Sequence, residues 1–341
     1  LLKVYDIPVM YFPRFFHPDP TVDRKSGFLI PTIKNSPNSD NFLSVPYFSV
    51  LSLNKDITFT PRFYADDKLL MQSEYRQVNK NSSHLSDFSI FAKKNSNSKS
   101  HFFYKYNKNL DYLGFEESIL NLQVQQTSND TYLKANKIEN EISDDNDVLQ
   151  SSLGLNFYSE DLAIDTEFMV YEDLSKKSND RYEYILPKLS LIKNIENRTA
   201  LNGNFYLKSD NLIKNYDTNI FENININDLI FNSNPKITDK GLYNNYDLIF
   251  KNVNSDTQNS NNFKKDTNHY LSGLLQLNTS LPLVKESNKY KKIIKPKVSL
   301  KISPNNNTKN ISKNVNRLDV NNIYNLNRLS SNNTLEGGLS L

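Results

Sequence analysis

Ile57-Thr58-Phe59-Thr60-Pro61-Arg62-Phe63-Tyr64, a turn at Asp66-Asp67, and then Leu69-Leu70-Met71-Gln72-Ser73-Glu74-Tyr75-Arg76 decide how this chain folds. The period is two. Ile57, Phe59, Pro61 and Phe63 fall on one face, with Thr58, Thr60, Arg62 and Tyr64 on the other. Beyond the turn, Leu69, Met71 and Tyr75 share a face, opposite Gln72, Glu74 and Arg76. Alternation of this kind marks strands with one apolar side, and two such runs about a tight turn make a hairpin.

The same grammar recurs along the chain. Phe88, Ile90 and Ala92 alternate with Ser89, Phe91 and Lys93. Phe102, Tyr104 and Tyr106 oppose His101, Phe103 and Lys105. Leu120, Leu122 and Val124 alternate with amides, and Leu162–Val170 alternates with Asp165 and Glu167. Further runs cover 182–192, 199–208, 246–253, 270–281 and 293–302, the last with Ile294, Pro296, Val298, Leu300 and Ile302 on one face. Each is about ten residues, the length a tilted strand needs to cross a bilayer. The polar faces carry charges and amides and so must be wet. The apolar faces need a cover, and the sequence offers no helices to supply it. Lipid outside and water inside satisfy both faces at once. The expected fold class is therefore all-β: an antiparallel transmembrane outer-membrane β-barrel, partial and open in this stretch. A soluble β-sandwich also alternates and is the competing architecture.

Composition agrees. At 341 residues with 37% hydrophobic side chains, the chain is poor in aliphatic bulk, yet it has 20 Tyr and 20 Phe, too many for a disordered chain. Aromatics with so little aliphatic mass suit a thin apolar layer. Only 8 glycines are present, few for strands that must coil. The net charge of +3 favours no class of partner, and zero cysteines exclude disulfides and thiolate metal sites. The chain opens without Met or a leader pattern and stops inside an alternating run, so it reads as an internal piece of a longer protein. The acidic Asn140–Asp147 stretch reads as a solvated loop. Ser209–Asn245 and Asn254–Asn268 read as long Asn-rich connections, with clusters such as Leu229–Phe231 pointing to some further strands.

The prolines are the sharpest local signal. Residues 1–26 are too proline-rich for a helix or a central strand, and read as the end of something upstream. Gly27–Lys34 and Phe42–Tyr47 then form two β-like runs, each with a proline inside it, Pro31 and Pro46. A hairpin turning near Pro37–Asp40 sets them side by side. Proline at a strand edge is tolerated, but a closed barrel has no edge, so paired prolines weaken one seam.

Other chemistry is sparse. His17, His84, His101 and His269 have no metal-ligand spacing, and no nucleophile elbow, phosphate loop or dinucleotide fingerprint occurs. Neither a metal nor a cofactor is expected. The cations are spread among acids and build no basic aromatic platform, so no nucleic-acid partner is expected. Arg24-Lys25, just before the first proline-bearing strand, is a candidate phosphate contact, or an ordinary solvated turn.

Ile7-Pro-Val-Met-Tyr-Phe-Pro13, His17-Pro-Asp-Pro-Thr-Val22 and Arg24-Lys-Ser-Gly-Phe-Leu-Ile-Pro31 resemble the start of the barrel in the LPS-assembly protein LptD family, also called organic solvent tolerance proteins. The likeness continues through Val45-Pro-Tyr-Phe48, Ile57–Arg62 and Gln72–Arg76. It returns at Ile294–Val298, Asn322–Arg328 and Leu335–Gly338. The resemblance implies a protein of the cell outer membrane that inserts lipopolysaccharide into the outer leaflet without covalent chemistry. Pro31 and Pro46 match the two prolines of the family's lateral gate. Residues 1–26 would end a periplasmic jelly-roll, with Pro13, His17, Pro18 and Pro20 at its junction, and 27–341 would be barrel. Thr58, Thr60, Arg62, Gln72, Glu74 and Arg76 would face the lumen. The implied partners are lipopolysaccharide, a plug lipoprotein like LptE, a periplasmic bridge protein like LptA, and outer-membrane lipids. Two other readings stand beside it. A diffusion porin needs no paired prolines, and a barrel lipid hydrolase needs a Ser/His pair on facing strands.

Overall fold

A computed structural model describes residues 2–4, 7–10, 24–36, 39–64, 67–143, 145–177, 180–217, 219–261, 265–287, 290–303 and 334–340. Leu2–Val4 (β1) and Ile7–Met10 (β2) form a small antiparallel sheet of their own. Pro13, His17, Pro18 and Pro20 lie outside the described residues.

One large antiparallel sheet contains nearly everything else. Gly27–Phe28 (β3) and Thr32–Ser36 (β4) are two halves of one strand. Ser39–Ser44 (β5) and Tyr47–Ser52 (β6) are two halves of the next. The meander continues through Lys55–Tyr64 (β7), Lys68–Val78 (β8), Ser82–Lys93 (β9), Lys99–Asn109 (β10) and Glu117–Thr127 (β11). The short helix Tyr132–Asn136 (α1) follows, then Val148–Tyr158 (β12), Leu162–Asp173 (β13), Tyr182–Ile195 (β14) and Gly203–Tyr216 (β15). Ile220–Ser233 (β16), Lys236–Ile237 (β17), Tyr243–Gln258 (β18) and Asp266–Ser280 (β19) come next. Leu283–Ser287 (β20) and Tyr290–Ile294 (β21) make a separate hairpin. Lys297–Ser303 (β22) and Thr334–Ser340 (β23) complete the sheet.

The strand order runs round a circuit in which β23 neighbours β3. Long ladders join the strands from β7 to β19, and β22 pairs with β23 over its whole length. At the meeting point one partner is a strand of two residues. The two ends of the wall therefore meet at a seam with almost no ladder, in keeping with the partial barrel expected.

Register confirms the two faces. Phe63 opposes Leu69, Pro61 opposes Met71, Met71 opposes Ile90, Phe88 opposes Phe102 and Leu153 opposes Phe168. All of these large apolar side chains but Pro61 are exposed, forming a belt that neither a second sheet nor a long helix covers among the described residues. No helix is long and apolar enough to cross a membrane; here the strands provide the apolar belt. A sandwich, which would bury this face, is excluded.

Two regions depart from the expectation. The Asn-rich 209–245 and 254–268 stretches are mostly wall, within β15, β16, β18 and β19. The alternation is present but inverted: Asn223-Ile224-Asn225-Ile226-Asn227 puts the amides outside and the isoleucines inside. On the outer face Asn227 bonds Asn225, Asn252 and Ser209, and Asn254 bonds Asn225, Asn252 and His269. β18 is 16 residues long, beyond the roughly 9–11 that cross a bilayer, so this amide patch fits strand ends that stand clear of hydrocarbon. Towards the other end of the same strands Phe231 packs on Phe205 and Tyr246 at 4.6 and 5.6 Å. It crosses the bare backbone of Gly203, where a Cβ would lie 2.6 Å from the ring. In addition, the 293–302 run is split at Pro296: Ile294 ends β21 and Lys297 begins β22.

The second departure is the acidic loop. Residues 128–143 and 145–147 fold back over the inner face, where Tyr132, Leu133, Ile138 and Ile142 join Leu70, Phe103, Leu149 and Leu174 in one buried cluster. Among the described residues of Asn140–Asp147 only Ile142 is buried, with Glu141 and Asp145 exposed as expected; the cover comes mostly from Tyr132, Leu133 and Ile138 ahead of it.

A charge placed on the belt should cost more than one placed on the amide patch. Phe88→Arg is expected to lower folding stability in lipid bilayers by about 2–4 kcal/mol and Asn254→Arg by about 0–1 kcal/mol. Denaturant titrations of refolding into vesicles would show the difference; equal costs would mean that the belt is not at the bilayer centre.

Candidate functional site

Pro31 and Pro46 lie at the same level of adjacent strands. Phe28 opposes Tyr47 and Thr32 opposes Ser44, so the register slips by one residue between them, where 29–31 face Val45-Pro46. The hairpin closes with Ser36 opposite Ser39. Leu29 donates to the Pro46 carbonyl at 2.8 Å, and Val45 donates to the Pro61 carbonyl on β7 at 3.4 Å. A strand residue directs its N–H and C=O to the same neighbour. The donor that Pro46 lacks is therefore missing from its ladder with the first strand. The same proline also splits the ladder towards β7, which is continuous only over Tyr47–Val50 and Phe42–Ser44.

Of the two basic residues ahead of this break, Lys25 is exposed, while the Arg24 guanidinium is 2.8 Å from Asp56. Asp56 is shared with Arg76 at 3.0 Å. Because Asp56 is nearly fully buried on β7, the pair fixes the chain entering the first strand.

Thr58, Thr60, Arg62, Gln72, Glu74 and Arg76 lie on the face opposite the apolar belt, with Thr58 against Glu74 and Thr60 against Gln72. Three of them touch the folded-back loop. Arg62 donates to the Asn136 carbonyl at 2.7 Å, Gln72 donates to the Glu139 carbonyl at 2.9 Å, and Arg76 lies 3.7 Å from Glu141.

Beneath α1 sits a chain of buried polar groups. His101 Nε2 is 2.7 Å from Asp87 Oδ1, its Nδ1 is 2.6 Å from Ser89 Oγ, and that hydroxyl is 2.6 Å from the Tyr132 hydroxyl. Gln72 donates to both Asp87 oxygens at 2.9 and 3.1 Å. Ser89 and His101 face each other directly on β9 and β10, the Ser/His pair the sequence did not reveal. The pair is sealed, since Asp87, Ser89 and His101 are at most 1% exposed. No substrate can reach the hydroxyl, and Tyr132 already occupies it. The group acts as a clasp between loop and wall. Alternating Asp87-x-Ser89 on one strand and a His on the next was the available signal.

At the rim, Arg181 holds the start of the loop, 2.8 Å from Asp130 and 2.7 Å from Glu172. The guanidinium holds the Asp130 carboxyl below its ordinary range. Lys134 is paired with Asp147 across the loop.

An exposed apolar belt around an antiparallel circuit, with a polar, loop-filled inner face, defines an outer-membrane β-barrel. On sequence, about a quarter of the chain is similar to proteins named LPS-assembly protein LptD. It is 43% identical over 83 residues to the LPS-assembly protein LptD of Pseudomonas savastanoi pv. phaseolicola, covering 24% of this chain and 9% of that protein. The LptD of Coxiella burnetii is 37% identical over 83 residues, 24% of this chain and 9% of that protein. That of Nitrosococcus oceani is 39% identical over 80 residues, 23% of this chain and 10% of that protein. The matched stretch is thus about a tenth of these relatives' length. No family model matches the chain. Among solved structures, a bacterial polysaccharide outer membrane secretin aligns over 79% of this chain and 86% of its own, with 12% identity and a TM-score of 0.29. That likeness is too slight to carry an argument.

Removing one hydroxyl from the clasp tests its role. Tyr132→Phe should weaken loop docking by about 1 kcal/mol, read as faster hydrogen exchange across 132–142 with the β8–β10 ladders unchanged. Acid should act at the rim. A carboxylate whose folded pKa is depressed contributes above its unfolded value and loses that contribution as pH falls through the folded one. Docking of residues 129–131 should therefore hold above about pH 4 and loosen below it, and Asp130→Asn should remove that pH dependence.

Proposed function

We propose that this chain forms part of an outer-membrane translocon that delivers lipopolysaccharide to the outer leaflet through a lateral opening at the β23–β3 seam, without covalent chemistry. The observation that carries this reading is the pair of opposed prolines, Pro31 and Pro46, which break two adjacent strands next to a seam where one partner is two residues long. An amphiphile leaving a barrel sideways needs the wall to part somewhere. Parting costs least where ladder bonds are already missing, because every unpaired N–H or C=O in hydrocarbon costs several kcal/mol.

The inner face supports the same reading. Thr58, Thr60, Gln72, Glu74 and Arg76 give a hydrophilic lining past which a sugar chain slides, while the acyl chains remain with the belt. The 128–147 loop narrows that interior. A plug lipoprotein would seat against this lining, and a periplasmic bridge protein would feed lipid to the domain ending near residue 26. The relatives' name, LPS-assembly protein, agrees with this cargo. A diffusion porin would gain nothing from paired breaks in its opening strands. The hydrolase reading loses its one candidate pair to burial.

Restoring the missing donor should close the exit. In the full-length protein, Pro46→Ala combined with Pro31→Ala should add up to two ladder bonds of about 0.5–1.5 kcal/mol each. Opening would then slow on the order of tenfold, read as delayed appearance of newly made lipopolysaccharide at the cell surface and its accumulation in the periplasm. Wild-type delivery kinetics in a correctly inserted variant would remove the gate from this reading.

A further inference from the structure

Lys34 on β4, Arg62 on β7 and Lys137 at the end of α1 converge on a cavity of about 550 Å³ beside Pro46. All three line the same cavity, together with Glu139. Three segments far apart in sequence have brought three positive charges together. Arg62 spends donors on the Asn136 and Lys137 carbonyls at 2.7 and 3.4 Å, which fastens the loop over the cavity. Lys137 is held by its own left-handed backbone, φ 47°, and by a bond from its N–H to the Lys134 carbonyl.

Among the described residues, none of these three cations has a carboxylate at ion-pair distance, and Glu139 is the single acid in the lining. Several other wall cations are paired. Arg24 and Arg76 share Asp56, Lys251 meets Asp228 at 2.6 Å, and Lys214 meets Glu183 at 2.8 Å. Three like charges facing the one acid Glu139 leave a net positive cluster whose members repel one another, and an anion would offset that repulsion. The remaining lining suits one: Thr32, Ser44 and Thr60 supply hydroxyls. The Phe42 ring lies 5.4 Å from the Arg62 guanidinium and 5.9 Å from the Lys34 ammonium, steering both. The volume lies within the roughly 300–1,000 Å³ of small-molecule sites, room for a phosphate and the sugar that bears it.

We propose that this cavity is a phosphate subsite which takes the phosphorylated sugar head of a glycolipid at the broken hairpin. The proposal rests on the translocon reading for its cargo, and on the converging cations for its chemistry. A ligand there touches Pro46 and the loop together, so binding would be felt at the strand break.

The test uses the full-length protein, with whatever subunit copurifies, in lipid nanodiscs. Binding of a bisphosphorylated glucosamine-disaccharide lipid, the same lipid stripped of phosphate, and inorganic pyrophosphate would be measured by microscale thermophoresis. The phosphorylated lipid is expected to bind at least about tenfold more tightly than the stripped one, with a strong salt dependence. Lys34→Gln with Lys137→Gln should abolish that preference while leaving stripped-lipid binding unchanged, and Lys34→Arg with Lys137→Arg should restore it. Competition by pyrophosphate would assign recognition to the phosphate alone; lipid selectivity without such competition would assign it to phosphate carried on the sugar. Equal binding of the two lipids, or a glutamine variant as selective as wild type, overturns the subsite. Loss of selectivity in the glutamine variant, together with unchanged delivery in the proline variants, would keep the subsite and reject the gate.

Discussion

In hydrocarbon a backbone amide has no water to turn to, so each N–H and C=O of a membrane strand must find its partner in the next strand. That requirement bends the meander round into a circuit and leaves the choice of outward side chains to lipid. It also makes proline unusually consequential: a residue with no donor, set opposite another, creates a place where the wall cannot be completed from within. The slipped register between Phe28–Tyr47 and Thr32–Ser44 records that failure. The rest of the structure can be read by its distance from it.

Nearest to the break, the inner surface is crowded. The loop after β11 is brought in by four apolar side chains and then held by buried polar contacts, each of which would be costly to leave unmade. Tyr132, Ser89, His101, Asp87 and Gln72 satisfy one another in sequence. Arg62 and Gln72 satisfy carbonyls that α1 and its exit leave open. Burying such a chain is tolerable only because every member is paired, and that makes the docked loop a defined position. Further round the circuit, at β15–β19, the inner face carries a small apolar cluster, Ile230, Ile249 and Leu274, among buried polar side chains such as Glu222, Asp247, Thr257 and Gln276. Lys251 and Asp228 form a buried ion pair beside it.

The sequence carried the architecture because period-two alternation needs only local reading. The apolar faces of β7 to β13 were assigned correctly from Ile57–Arg76 and the runs after it. The hairpin that sets Pro31 beside Pro46 was legible too, since fifteen residues with a polar centre leave one sensible turn. What was hidden depended on assuming that apolar means outward. At Asn223–Asn227 the alternation is perfect, but the amides point out, so a strand resembled a linker. The loop was missed for a related reason: its acids advertised solvent, while Tyr132, Leu133, Ile138 and Ile142 are spaced for no regular element. The clasp draws on four segments between Gln72 and Tyr132 and the cation cluster on three between Lys34 and Lys137, and no window of sequence holds either together.

The break, the loop and the cations share one quadrant, and their placement has a physical consequence. If Pro31 and Pro46 alone set the wall's weakness, the seam would part as readily with the interior empty as with it full. Here the strand that carries Pro46 lines the same cavity as Arg62 and Lys137, and Arg62 ties that cavity to the loop. On the proposed gate and subsite, a group entering the cavity would change the electrostatics acting on Lys34, on a strand that borders the break. An anion bound there would lower the repulsion between β4 and the loop, while a sugar attached to it would lie against Pro46. The two effects oppose each other: one holds the quadrant together, the other props it apart. On that proposal the balance would turn on size, because the phosphate alone would satisfy the charge while the propping would grow with the attached sugar.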